Sequence, residues 1–206
     1  MARAEPQEDW PRSVAEFEAW HARRPERWEF VDGWARLMAP ASMTHSIIKR
    51  NVFRALDAAL AGSGCEALVD GPQILTDEIS AIPDVVVTCA PLDLATPVVT
   101  EPAIIVEVMS PASEADDTGR KWLSYQKITS LKHYLVLAQD RYLVQIHSRA
   151  GDLWRERFVS AGTIELDEPQ LRVDVAALYA QTELTASKDA TLRTEEMYPA
   201  GAPPAT

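Results

Sequence analysis

Two carboxylates set inside apolar, strand-like runs constrain this chain more than any other feature. The first lies in Ile82-Pro83-Asp84-Val85-Val86-Val87 and the second, past a loop, in Ala103-Ile104-Ile105-Val106-Glu107-Val108. A carboxylate buried without a partner is costly, and it resolves the cost by shifting its pKa or by finding a counter-charge. On consecutive strands that pair, Asp84 and Glu107 point to one shared partner, and a divalent cation held through oxygen ligands is the simplest one. A break at Ser110-Pro111 then delivers the chain to a helix predicted over 114–128. That helix carries Lys121, Tyr125 and Ile128 on one face, with Asp117 one turn before Lys121.

The length of 206 residues allows one domain with a real core, and 47% hydrophobic with 25% charged residues is ordinary globular usage. We expect a flexible N-terminus over 1–11, a single domain over 12–181, and a disordered C-terminal tail over 182–206, where Ala, Thr and Pro dominate and little apolar matter remains. No apolar leader and no run long enough to span a bilayer stand out, so a cytoplasmic protein without membrane contact is expected. Cys65 and Cys89 lack metal-ligand spacing and read as buried thiols. The net charge of −11, from 31 acidic against 20 basic residues, argues against a broad electropositive surface. Any nucleic-acid contact must then be local, with Arg120-Lys121, Lys127, Lys132-His133 and Arg141 as the densest candidates.

Along the chain, Ser13 and Glu16 form a capping box for a short helix over 13–21 with Val14, Phe17 and Trp20 at helical spacing. Asp32-Gly33 between two apolar runs is a hairpin signal, and Glu29 lies within that hairpin. Ser42 or Thr44 can cap a second helix in which Ile48, Val52, Leu56 and Leu60 repeat every four residues. His45 stands near its start, as a hydrogen-bonded structural histidine or a member of a site. Residues 65–69 and 73–76 read as strands around Gly71-Pro72, and 102–109 as a central strand covered on both faces. Alternating strands follow over 132–137, 142–147 and 154–159, and a helical turn over 174–179 closes the domain.

In order and spacing, Trp28-Glu29-Phe30-Val31-Asp32-Gly33, the helix carrying His45, Pro83-Asp84, Val106-Glu107-Val108-Met109-Ser110-Pro111, the segment 117–125 and His133-Tyr134-Leu135-Val136 resemble the PD-(D/E)xK restriction-endonuclease-like superfamily. More narrowly, they are similar to its bacterial Uma-type family of restriction-endonuclease-like proteins. The resemblance covers about residues 27–180. It implies an α/β fold, a restriction-endonuclease-like core with a mixed central β-sheet flanked by helices, plus an N-terminal helix and β-hairpin. It also implies endonuclease activity on nucleic-acid phosphodiesters, DNA foremost, with Mg²⁺ or Mn²⁺ as cofactor. Asp84, Glu107 and the backbone carbonyl of Val108 would be the metal ligands. The chain departs from the superfamily at Met109, where the usual lysine is missing, and Lys121 is the proposed replacement. Asp117 would position its ammonium and Tyr125 would hydrogen-bond to the same cluster. Glu29, His45 and Gln73 complete the expected cleft. Two other readings stay open: a catalytically inactive nuclease-fold binding or regulatory module, and structural acids paired with Lys121, Arg120 or backbone amides. A homodimer is expected, with Trp34 or Trp154 at its contact.

Overall fold

The computed structural model describes residues 9–38, 40–109, 117–185 and 196–201, and the side chains of 117, 118 and 196 are not among the described atoms. A seven-stranded sheet, made of strands joined in the order β13-β10-β9-β8-β7-β6-β3, runs through the molecule. Its members are β3 (Glu66–Val69), β6 (Val85–Thr88), β7 (Pro102–Met109), β8 (His133–Ala138), β9 (Val144–Ala150), β10 (Leu153–Val159) and β13 (Glu196–Pro199). β7 and β8 are parallel while the other pairs are antiparallel, so the sheet is mixed as expected.

Side-chain alternation along the central strands decides which residues meet which helix. Val85, Val87, Ile104, Val106 and Val108 face one layer, packed against Ile48, Val52 and Leu56 of α2 (Met43–Ala59). Val86 and Ile105 face the other, against Trp122 and Tyr125 of α3 (Asp117–Tyr125). Glu107, two residues beyond Ile105, therefore belongs to the α3 layer. α2 begins where the sequence places it, with Ser42 accepting from the His45 amide. α1 (Val14–His21) is capped by Ser13, and its Val14, Phe17 and Trp20 pack on Phe30 and Ala35.

β1 (Trp28–Val31) and β2 (Trp34–Leu37) form the expected hairpin, with Asp32 and Gly33 both at positive φ, 53° and 76°. It does not sit at an edge of the central sheet. β1 pairs with β5 (Ile79–Ala81), which pairs with β4 (Ile74–Leu75), giving a second, four-stranded sheet. A further hairpin of β11 (Thr163–Asp167) and β12 (Gln170–Asp174), followed by α4 (Val175–Leu178), covers the α2 face. It falls between expected elements and carries a regular alternation that the sequence reading passes over.

Three expectations change. β13 lies in the stretch expected to be a disordered tail, paired to β10, with Tyr198 buried and its hydroxyl against His147 Nδ1. The rest of that tail beyond 185, and most of the expected flexible N-terminus, lie outside the described residues. Cys65 and Cys89 are joined in a disulfide and are not buried thiols. Glu66 pairs with Thr88 at one end of the antiparallel β3–β6 pair, so Cys65, just before Glu66, and Cys89, just after Thr88, meet with Cα atoms 4.0 Å apart. Trp154 is fully buried against Trp122, with Arg149 over its ring, and is no surface contact. Trp34 is half-buried in β2.

Candidate active site

Asp84 immediately precedes β6, and the start of α2 is brought over it. His45 Nε2 is 2.8 Å from Asp84 Oδ1, and the backbone amide of Val108 donates to Oδ2 at 2.8 Å. Val85 pairs with Val106, so this strand register is what carries the amide of β7 to the carboxylate. Lys49, one turn after His45 on α2, places its ammonium 3.9 Å from the same Oδ1 and 2.8 Å from Asp70.

Glu107 projects toward α3 and meets a second group. Lys121 Nζ lies 3.1 Å from Glu107 Oε1 and 3.0 and 2.9 Å from the two oxygens of Glu29. The Tyr125 hydroxyl donates to the same Glu107 oxygen at 3.3 Å, and the amide of Ile82 donates to Glu29 at 2.9 Å. Glu29 and Lys121 are 6% and 8% exposed, too deep for a solvated surface pair. The Glu107 carboxyl is pushed up to about 7: burial raises it most, Lys121 pulls it down, and the charges of Asp84 and Glu29 raise it again. Burial opposes the charge of Lys121, yet Glu107 and Glu29 together hold it well above the ordinary lysine value. Burial, with Glu107 beside it, also keeps Tyr125 protonated and able to donate.

Of the residues singled out in the sequence, Asp84 and His45 form one contact group with the Val108 backbone, and Glu107, Lys121, Glu29 and Tyr125 form the other. Asp84 lies close enough for its charge to raise the Glu107 carboxyl. Gln73 goes elsewhere: its amide donates to Glu18 at 2.9 Å and to Ser80 at 2.7 Å. Asp117 opens α3, but its side chain lies outside the described atoms. Lys49 and Asp70 join the site without having been expected there. The legible signal for Lys49 was its four-residue spacing from His45, which a solvated helix face also shows.

The donor set suits a hard divalent cation. Carboxylates and a backbone carbonyl are its preferred ligands, and the negative charge gathered around Glu107 is what such an ion would relieve. Among the described residues no group of three or more His, Cys, Asp or Glu side chains is placed to hold a metal ion. Mg²⁺ needs none, because it retains several waters and is commonly held through one or two carboxylates.

A model of the Uma2 family, described as "Putative restriction endonuclease", matches residues 14–180. An uncharacterized protein of Synechocystis is 30% identical over 172 residues, spanning 81% of this chain and 90% of that one. A second uncharacterized Synechocystis protein is 28% identical over 145 residues, spanning 68% and 82%. Among solved structures, a putative nuclease of the DUF820 group from Anabaena variabilis superposes with a TM-score of 0.66 at 14% identity. It covers 82% of this chain and 98% of the other. The mixed α/β architecture is thus the restriction-endonuclease-like nuclease fold.

Proposed function

Because the chain belongs to the Uma2 family, we propose that its cleft hydrolyses nucleic-acid phosphodiester bonds, DNA foremost, with Mg²⁺ or Mn²⁺ held by Asp84, Glu107 and the carbonyl of Val108. The observation that carries this reading is the buried ammonium of Lys121 on Glu107 Oε1, in a protein whose Glu-x-Lys element ends in Met109. The chemistry a bound ion supplies is neutralisation of the charge that builds on the phosphoryl oxygens.

The chain's own groups do the rest. Glu29 grips the Lys121 ammonium with both oxygens and is itself fixed by the Ile82 amide, so the cation cannot swing to solvent. Lys121 lowers the Glu107 pKa against burial, and its ammonium stands beside the carboxylate where this scheme places the attacking water. Among the described residues, the side-chain bonds to Glu107, from Lys121 and Tyr125, fall on Oε1, and Oε2 is the oxygen that would serve an ion. His45 and the Val108 amide hold Asp84 in place. The lysine in this scheme comes from α3, since the chemistry requires an ammonium at that point in space and not at a given place along the chain.

A binding module that keeps the fold without cutting is the second reading. It draws on one observation: the three protons of Lys121 already have three acceptor oxygens, on Glu29 and Glu107. A metal-dependent DNA-cleavage assay on Lys121→Ala and Lys127→Ala separates the two. Lys127 pairs with Glu78 at the surface and serves as the control. The nuclease reading expects Lys121→Ala to lose orders of magnitude in rate while metal affinity survives, with Lys127→Ala close to wild type. Equal, small effects from both would remove Lys121 from the chemistry.

A further inference from the structure

We propose that Lys49 is a phosphate-binding subsite beside Asp84, and that Asp70 occupies it in the free protein as a stand-in for a backbone phosphate of the nucleic acid. The inference rests on the nuclease reading and adds to it a contact for the substrate chain.

The 3.6-residue period of α2 puts His45 and Lys49 on one face, and both reach Asp84 Oδ1, at 2.8 and 3.9 Å. The Lys49 side chain is only 14% exposed, and its ammonium lies next to a candidate metal ligand. Its short contact is not to Asp84 but to Asp70 Oδ1, at 2.8 Å. Asp70 has the opposite character, with a side chain 52% exposed. It directly follows β3, and because Val69 pairs with Val85, Asp70 and Asp84 flank the same end of the β3–β6 pair. Its φ of 57° is left-handed, which Asp tolerates better than most residues and which fixes where its carboxylate emerges. Arg27 Nη1 also lies 3.9 Å from Asp70 Oδ1, so one exposed oxygen gathers two cations at the rim of the site.

That arrangement has the charge and reach of a phosphodiester oxygen. The Asp70 carboxylate is half in water, which screens its pair with Lys49, so an incoming phosphate can displace Asp70, whose carboxylate then returns to water. With a net charge of −11 the molecule as a whole repels a polyanion, and affinity must come from cations placed at the cleft. Lys49 is such a cation, held ready by a group the substrate can replace.

The test is binding of a labelled DNA duplex to the full chain in EDTA, where no cleavage intervenes, across a salt series. Lys49→Gln should weaken binding several-fold and lower the slope of log affinity against log salt by about 0.9, one phosphate contact. Asp70→Asn, which keeps a residue suited to positive φ, should tighten binding several-fold. The double variant should bind like Lys49→Gln alone, because Asp70 acts by occupying Lys49. Additive effects in the double variant would reduce both to bulk charge and overturn the subsite. Unchanged affinity in both single variants would overturn it while leaving the nuclease reading intact. Absence of binding by wild type both in EDTA and with Ca²⁺ in its place would overturn the subsite, and the nuclease reading is then judged by the cleavage assay alone.

Discussion

Glu107 is the residue at which opposing forces in the site nearly balance. Burial raises its pKa; Lys121 lowers it, and Asp84 and Glu29 raise it again, leaving it at about 7 against an ordinary 4.5. The folded protein therefore binds more protons than the unfolded chain between those values, so this group's contribution to stability is greatest below 4.5 and is lost as pH rises through about 7. The groups facing it are Lys121 and Tyr125 from α3, Glu29 from β1 and Asp84 before β6. Melting wild type and Glu107→Gln in parallel without divalent metal should show the variant gaining on wild type from pH 4.5 to 7 and holding a constant difference above it. A variant that loses ground to wild type, or merely keeps pace with it, over that interval would refute the assignment. Replacing Lys121 is a different matter, because it leaves two buried acids without their cation. Lys121→Ala should lose about 3–5 kcal/mol of stability, readable by denaturant melting, whatever it does to catalysis. The acids were legible in the sequence because a charged residue in a β-branched run needs a partner, whether a cation side chain, a backbone amide or a metal. Lys49 and Asp70 were not, since a lysine on an amphipathic helix and an aspartate before Gly-Pro are what solvated surfaces look like. Gln73 misled because its partner, Glu18, lies 55 residues away in sequence.

Among elements, those with both a period and a cap are readable in the chain alone. α2 has Ser42 and a four-residue apolar repeat, and the β1–β2 hairpin has Asp-Gly at two positive-φ positions. Gly33→Ala meets no neighbouring atom, so its cost is conformational, about 1 kcal/mol from a φ of 76°. Because the same hairpin carries Glu29, the melting temperature should fall modestly without loss of the Lys121 contact. Elements defined by their partners escaped notice. β13 is four residues long and exists through its pairing with β10 and the insertion of Tyr198 beside His147. Likewise, the hairpin's membership of a separate sheet depends on β5, which nothing near residues 28–37 encodes. The disulfide belongs to the same class, since only the β3–β6 register brings Cys65 and Cys89 together. It closes a separation of 24 residues, for which chain entropy gives about 3 kcal/mol. Cys65→Ser, or wild type under a thiol reductant, should melt lower by that amount; identical melts with and without reductant would show that the bridge does not staple the edge strand.

For the whole molecule, two opposed helical layers on a mixed sheet converge on one end of β6 and β7, where α2 delivers His45 and Lys49 and α3 delivers Lys121 and Tyr125. Among the described residues no helix is long and apolar enough to cross a membrane. Dimerisation, expected from exposed tryptophans, loses Trp154 to the core and keeps Trp34 as its aromatic candidate. Sedimentation at micromolar concentration tests it: twice 22.8 kDa is the expected mass, and a clean 22.8 kDa species would count against it. We propose that Asp84 and Glu107 serve a metal-dependent nuclease, and incubation of plasmid DNA with wild type and with Asp84→Asn, each with Mg²⁺ or Mn²⁺ and with EDTA, tests that role. Cleavage by wild type with metal alone, lost in Asp84→Asn, is the predicted result; intact plasmid in every wild-type lane, or cleavage that survives Asp84→Asn, would contradict it.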